Sequence, residues 1–203
     1  MTKIILVRHG HVEGISPERF RGRADLLLTP EGRRQAEATA RRIHATWQPA
    51  AIYTSPLRRC RATGEAIGNP LGLSPSPLGG LIDIDYGQWQ GLTPDEVRHR
   101  WPKPLDSWYR TPDWAAIPGG ETLQAVLTRT VTALREVICR HPTETTVLVG
   151  HDSVNRVILL HALALPLSRY WQLGQNPCAI NEIDFSEDGF VVRSMNETYH
   201  LQQ

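Results

Sequence analysis

Residues 4–7, Ile-Ile-Leu-Val, form an unbroken β-favouring apolar run between Lys3 and Arg8, the pattern of a short strand buried on both faces. Thr29-Pro30 then opens a helix reaching about Thr46, with Thr as N-cap and Pro at the first helical position. Ala51 to Tyr53 reads as a second strand, and Ser55-Pro56 repeats the cap-and-proline device for a helix to about Ile67. Thr93-x-x-Glu96 is a capping box for a third helix. A long helix follows over about Glu121–Arg140, then a strand at Thr146–Val149 and a helix at about Ser153–Leu163. From Ala179 the chain alternates as a strand pair around Asp188-Gly189. Strands alternating with helices predict an α/β three-layer sandwich with a mostly parallel central sheet flanked by helices. Residues 84–120 break the rhythm; rich in Trp, Pro and Gly, they read as an insertion into a single domain spanning 1–203, forming part of the rim of a site.

Composition narrows the field. With 203 residues, 40% apolar and 21% charged, the chain is an ordinary globular one. Its most apolar stretch, Val154–Leu167, is broken by Asn155, Arg156 and His161, so no membrane partner is expected. The run after Lys3 is too short for a signal-peptide core, and Cys60, Cys139 and Cys178 are odd in number and far apart, so a cytoplasmic setting is expected. A net charge of +1 argues against a nucleic-acid partner, yet residues 1–61 carry 12 Lys and Arg against 5 Asp and Glu, and the remainder 10 against 16.

Candidate chemistry lies where strands end. His9 falls two residues after the first strand and His151 two residues after the strand ending at Val149, so parallel strands would bring both imidazoles to one sheet edge. Arg8 precedes the first histidine, and Arg58 and Arg59 follow Ser55-Pro56. Guanidinium forks match phosphate oxygens. Neighbours on a helix point about 100° apart, so only one of Arg58 and Arg59 should face the site.

Leu6-Val7-Arg8-His9-Gly10, Thr54-Ser55-Pro56-Leu57-Arg58-Arg59 and Val149-Gly150-His151 resemble the three signatures of the histidine phosphatase superfamily, in its phosphoglycerate mutase-like branch. The resemblance extends to Arg21-Gly22, Leu28–Ala36, Tyr86-Gly87-Gln88-Trp89-Gln90-Gly91 and Pro118-Gly119-Gly120-Glu121. It implies a phosphoglycerate mutase-like fold and a phosphomonoesterase acting on a small phosphorylated metabolite through a phosphohistidine on His9. Arg8, Arg59 and His151 would surround the phosphoryl group, with Arg59 chosen over Arg58 by the family's T-S-x-x-x-R spacing. Arg21 and Gly22 would border the substrate. The scheme requires no cofactor and no metal.

The sequence departs from the family pattern at the proton donor, where Asp83 replaces the usual Glu; Asp152, directly after His151, is the alternative acid. Ile15 stands where the mutases place Asn. Together with the modest length, this favours a small phosphatase over a mutase-type phosphotransferase or a non-catalytic phosphate-ligand binder. His11 forms H-x-H with His9 but lacks a carboxylate cluster for a metal site. The four tryptophans of residues 84–120 are expected to pack the insertion, Cys60 to be a small core residue and Asp85 to lie at the surface. The substrate's identity stays open, as does the choice between monomer and homodimer.

Overall fold

The computed structural model describes residues 1–202. Its elements run β1 (Thr2–Arg8), α1 (Pro30–Thr46), β2 (Ala51–Thr54), α2 (Arg58–Gly68), β3 (Ser76–Pro77), α3 (Pro94–Arg100), α4 (Pro102–Arg110), α5 (Leu123–Arg140), β4 (Thr145–Gly150), α6 (Asp152–Ala162), β5 (Ile180–Ser186) and β6 (Gly189–Glu197). The strands form one sheet in the order β3-β2-β4-β1-β5-β6. β1, β2, β3 and β4 are parallel; β5 and β6 add an antiparallel pair on the far side of β1.

Why β1 and β4 lack polar positions is clear from their surroundings. Side chains alternate across a sheet. Ile5, Val7, Val147 and Val149 face α1 and α2, packing with Ala40, Ile43 and Ile67. Ile4, Leu6 and Leu148 face the other layer, with Val126, Leu134 and Val137 of α5 and Val154, Val157 and Ile158 of α6. Each fully buried branched side chain here contributes roughly 1.5–3 kcal/mol. The three-layer α/β architecture expected from the sequence is therefore present.

Two boundaries differ from the sequence reading. α2 begins at Arg58, with Leu57 as N-cap, so Ser55-Pro56 is not its start; the Ser55 hydroxyl turns to His151 instead. α5 begins at Leu123 under a Thr122 cap that accepts from the Ala125 N–H, which leaves Glu121 outside the helix. Within residues 84–120, Trp89 and Trp108 are buried in the same apolar cluster as Ile4 and Leu6, and Trp101 packs against it. Trp114 departs from the packing expectation: it is 82% exposed.

Candidate active site

β1 and β4 run in parallel with Val7 opposite Val149 and Arg8 opposite Gly150. Equal steps past the strand ends therefore place His9 and His151 side by side, their ring centroids 5.2 Å apart. The His9 backbone N–H donates to the Gly150 carbonyl at 3.1 Å, continuing the ladder into the loop. His9 is only 1% exposed. Its Nδ1 lies 2.7 Å from the Gly10 carbonyl. A carbonyl only accepts, so Nδ1 carries the proton and Nε2 keeps its lone pair. Arg59 Nε donates to that lone pair at 3.2 Å.

The loop carrying His9 lies against the start of α1. A Cβ on Gly10 would stand 2.4 Å from the Gly32 carbonyl oxygen, and one on Gly32 would stand 2.1 Å from the His11 carbonyl oxygen. Thr29 Oγ1 caps α1 by accepting from the Gly32 N–H at 3.1 Å and also meets His11 Nδ1 at 2.9 Å. Gln35 Oε1 accepts from the His11 N–H at 2.9 Å. The Thr-Pro-Glu-Gly-Arg-Arg-Gln segment thus holds the histidine loop, and His11 is part of that brace.

Arg59 sits in the first turn of α2, fully buried. Its Nη1 donates to the Ala24 carbonyl at 2.6 Å, and its Nη2 to the Gly22 carbonyl at 2.7 Å and to Asp83 Oδ2 at 3.0 Å. Arg58 points away from this group and pairs with Asp25, Nε to Oδ2 at 2.8 Å. Arg8 is also buried, with Nη1 donating to the Gln175 carbonyl and Nε unpartnered. Arg21 donates to the Gly14 carbonyl at 2.5 Å and the Arg19 carbonyl at 3.3 Å, so it braces its own loop.

Asp83 is 8% exposed and lies among the buried groups. Oδ1 accepts from Ser153 Oγ at 2.5 Å and from the Ile84 N–H at 2.9 Å. Oδ2 faces Arg59 and, at 3.5 Å, His151 Nδ1. The other face of the His151 ring has Nε2 2.8 Å from Ser55 Oγ and 3.5 Å from Cys60 Sγ. With Nδ1 of His151 carrying its proton toward Asp83 Oδ2, Nε2 accepts from the Ser55 hydroxyl. Asp152, the first residue of α6, is engaged elsewhere: Arg156 Nε reaches its Oδ1 at 2.9 Å. Asp85, expected at the surface, is half-buried and pairs with Arg23.

Burial and positive neighbours shape both rings. Burial first, then the charge of Arg59, the neighbouring His151 and Arg8, hold the His9 imidazole well below its usual pKa. Burial first, then Arg59 and Arg8, do the same to His151. Both rings are neutral at pH 7. The Cys60 thiol is pushed far up by burial, so it stays protonated.

The structure brings Arg8, His9, Arg59, Asp83 and His151 together, leaves Asp152 in a separate ion pair, and turns Arg21 to its own loop. Ser55 and Ser153, which hold His151 and Asp83, were missed in the sequence; Ser55 stands inside a signature but was read as a helix cap. Among the described residues, no group of three or more His, Cys, Asp or Glu is placed to hold a metal ion, and no helix is long and apolar enough to cross a membrane.

Two neutral histidines and two buried arginines at the carboxyl edge of a parallel sheet define a site built to take an anion. The chain matches the family model of the histidine phosphatase superfamily (branch 1) over residues 4–198. Phosphoserine phosphatase 1 of Hydrogenobacter thermophilus is 32% identical over 201 residues, 99% of this chain and 95% of that protein. Among solved structures, Bacillus stearothermophilus YhfR matches with a TM-score of 0.94 at 28% identity, covering 99% of this chain and 100% of that one. Phosphoserine phosphatase of Entamoeba histolytica, solved as a mutant in complex with phosphoserine, matches with a TM-score of 0.88 at 25% identity, covering 99% and 100%. The chain belongs to the histidine phosphatase superfamily. It is a histidine-type phosphatase.

Proposed function

We propose that this phosphatase hydrolyses a small phosphomonoester in two steps through His9, without a metal or cofactor. The observation that carries the reading is the His9 ring: Nδ1 tied to the Gly10 carbonyl, Nε2 aimed at Arg59. In the first step the bound phosphomonoester monoanion passes its proton to Asp83 as Arg59 turns to the phosphoryl oxygens; the Nε2 lone pair attacks phosphorus, the bond to the leaving oxygen breaks, and that oxygen takes the proton from Asp83. Arg59 shifts its Nε from the ring to the phosphoryl oxygens. With Arg8 and His151 it stabilises the charge spread over them. In the second step water attacks phosphorus and returns its proton to Asp83. The N–P bond breaks, His9 regains its lone pair and inorganic phosphate leaves.

Asp83 is preferred to Asp152 as the acid because it already touches Arg59 and faces His151, whereas Asp152 is paired with Arg156. We assign Arg21 and Gly22 to the border of the substrate pocket, and residues 84–120 to part of its rim. We place the enzyme in the cytoplasm on its dispersed free cysteines. The names of its relatives make phosphoserine the first substrate to try, within a wider panel of phosphometabolites ranked by kcat/KM.

The test is phosphate release measured with a chelator present, together with trapping of a labelled phosphoenzyme by quenching in alkaline detergent. Turnover should survive the chelator, and the trapped label should be acid-labile. His9→Ala should lose both turnover and label; substantial residual turnover would place the nucleophile elsewhere, and loss of activity to the chelator would end the metal-free scheme.

A further inference from the structure

Asp83 stands on a stretch with no strand or α-helix of its own, between a 3-10 turn at Gly79–Leu81 and another at Gly87–Trp89. Something else must fix the backbone from which its carboxylate projects. Arg129, in the first half of α5, reaches this stretch with both terminal nitrogens. Nη1 donates to the carbonyls of Gly80 and Ile82 at 2.8 and 2.6 Å, and Nη2 donates to the carbonyl of Asp83 at 3.2 Å. A Cβ on Gly80 would stand 2.8 Å from the Arg129 carbonyl oxygen, so the stretch is pressed against α5.

Glu121 holds this guanidinium as a fork, Oε1 to Nε and Oε2 to Nη2, both at 3.0 Å. The same carboxylate accepts from the Asp85 N–H at 3.0 Å, while the Glu121 N–H donates to the Asp85 carbonyl at 2.9 Å. Arg23 closes the group from the loop after β1: Nη2 is 3.2 Å from Glu121 Oε1, and Nε donates to the Asp83 carbonyl at 3.4 Å. Burial would raise the Glu121 carboxyl, but bonds from Arg129 and the Asp85 N–H, with the charges of Arg129 and Arg23, hold it below its usual pKa. It is therefore a fixed anion between two guanidinium groups.

We infer that Arg129, gripped by Glu121, is the positioning residue for the Asp83 carboxylate, fixing the carbonyls of Gly80, Ile82 and Asp83 and so the point at which the proton is delivered. Asp carries its carboxylate on a single methylene, so its two side-chain torsions correct little of a backbone displacement. A misplacement of about 1 Å can cost on the order of 100-fold in rate. The inference rests on the reading of Asp83 as proton donor.

Two leaving groups on one enzyme preparation separate the two ideas. An alkyl phosphomonoester such as glycerol phosphate needs protonation as its alkoxide departs; p-nitrophenyl phosphate needs it far less. The ratio of their kcat values is independent of the fraction of folded enzyme. Arg129→Met should raise the ratio in favour of p-nitrophenyl phosphate by at least ~10-fold, in the direction of Asp83→Asn, and flatten the basic limb of the kcat profile for the alkyl ester. Arg129→Lys keeps the charge but not the fork, and should raise the ratio less; it replaces the Met variant if that one does not fold. A ratio that rises in Asp83→Asn but not in either Arg129 variant overturns the inference and leaves the acid assignment standing. A ratio unchanged in Asp83→Asn overturns the acid assignment, and the inference with it.

Discussion

The imidazole of His9 has one donor and one acceptor, and the protein has settled which is which. The Gly10 carbonyl takes the Nδ1 proton, and Arg59 covers the lone pair on Nε2. In the proposed reaction Arg59 would guard the nucleophile as well as bind phosphoryl oxygens, and its grip on the Gly22 and Ala24 carbonyls keeps it in reach of both tasks. The proposed proton donor gives the sharpest prediction at this scale. Asp83→Asn should lower kcat on an alkyl phosphate by roughly 100-fold or more, within the usual span for general acid catalysis, and affect p-nitrophenyl phosphate much less. Asp152→Asn should show no such leaving-group dependence in steady-state kinetics; if it does, the assignment is reversed. Which residues meet was legible in the sequence because the signature spacings fall at strand ends. The partners Ser55, Ser153 and Arg129 were not, since a serine or an arginine on a helix carries no mark of what the fold sets against it.

At the scale of elements, the glycine-bearing motifs are contacts between loops. Gly87 has φ +47°, and a Cβ there would stand 2.4 Å from the Pro118 carbonyl oxygen; one on Gly120 would stand 2.5 Å from the Asp85 carbonyl oxygen. The Tyr-Gly-Gln-Trp and Pro-Gly-Gly-Glu segments thus lie backbone against backbone, joined by the Gln88 N–H donating to the Pro118 carbonyl at 2.9 Å. Gly87→Ala adds a clash to the strain of a left-handed residue, and should lower stability in urea unfolding by about 3 kcal/mol or more. Gly72→Ala has the strain alone, at φ +66° in open space, and should lose about 1–2 kcal/mol. Similar losses in both would show that the loop contact is soft. The helix capped by Thr93 was readable from its capping box with Glu96, and that capped by Thr29 because cap and proline adjoin. The same cue misled at Ser55-Pro56, where the hydroxyl is claimed by His151 at the N-cap of α6, a contact 96 residues away.

Across the whole molecule, the two halves of opposite charge meet in the site: Arg8 and Arg59 come from the basic part, Asp83 and His151 from the acidic part. Burying two imidazoles among arginines has a thermodynamic consequence. Folded His9 and His151 have pKa values well below 6.5, while in the unfolded chain they titrate near 6.5. Below pH 6.5 the unfolded state binds protons that the folded state does not, so stability falls with falling pH until the folded pKa values are reached. Above pH 6.5 neither ring contributes a slope. Each contributes about 1.4 kcal/mol per pH unit within that window. His161 and His200, whose pKa values burial also lowers, add in the same direction. Urea unfolding between pH 5 and 8 should show the loss below 6.5, and His9→Ala should reduce the slope by about one proton's worth; an unchanged slope would mean that His9 is charged in the folded protein.

The loop at the end of β1 depends on distant parts of the chain. Cys178 donates its N–H to the carbonyls of Arg8 and His9 at 3.1 and 3.2 Å, Arg8 donates its own to the Ala179 carbonyl at 3.2 Å, and the Arg8 guanidinium rests on the Gln175 carbonyl. His9 and the Cys178 backbone that seats its loop stand 169 residues apart in the chain. β1 cannot take its central place until β4 on one side and β5 on the other have been synthesised. A chain cut before residue 175 therefore keeps His9 but loses the backbone partners of its loop, and should release no phosphate from a phosphomonoester.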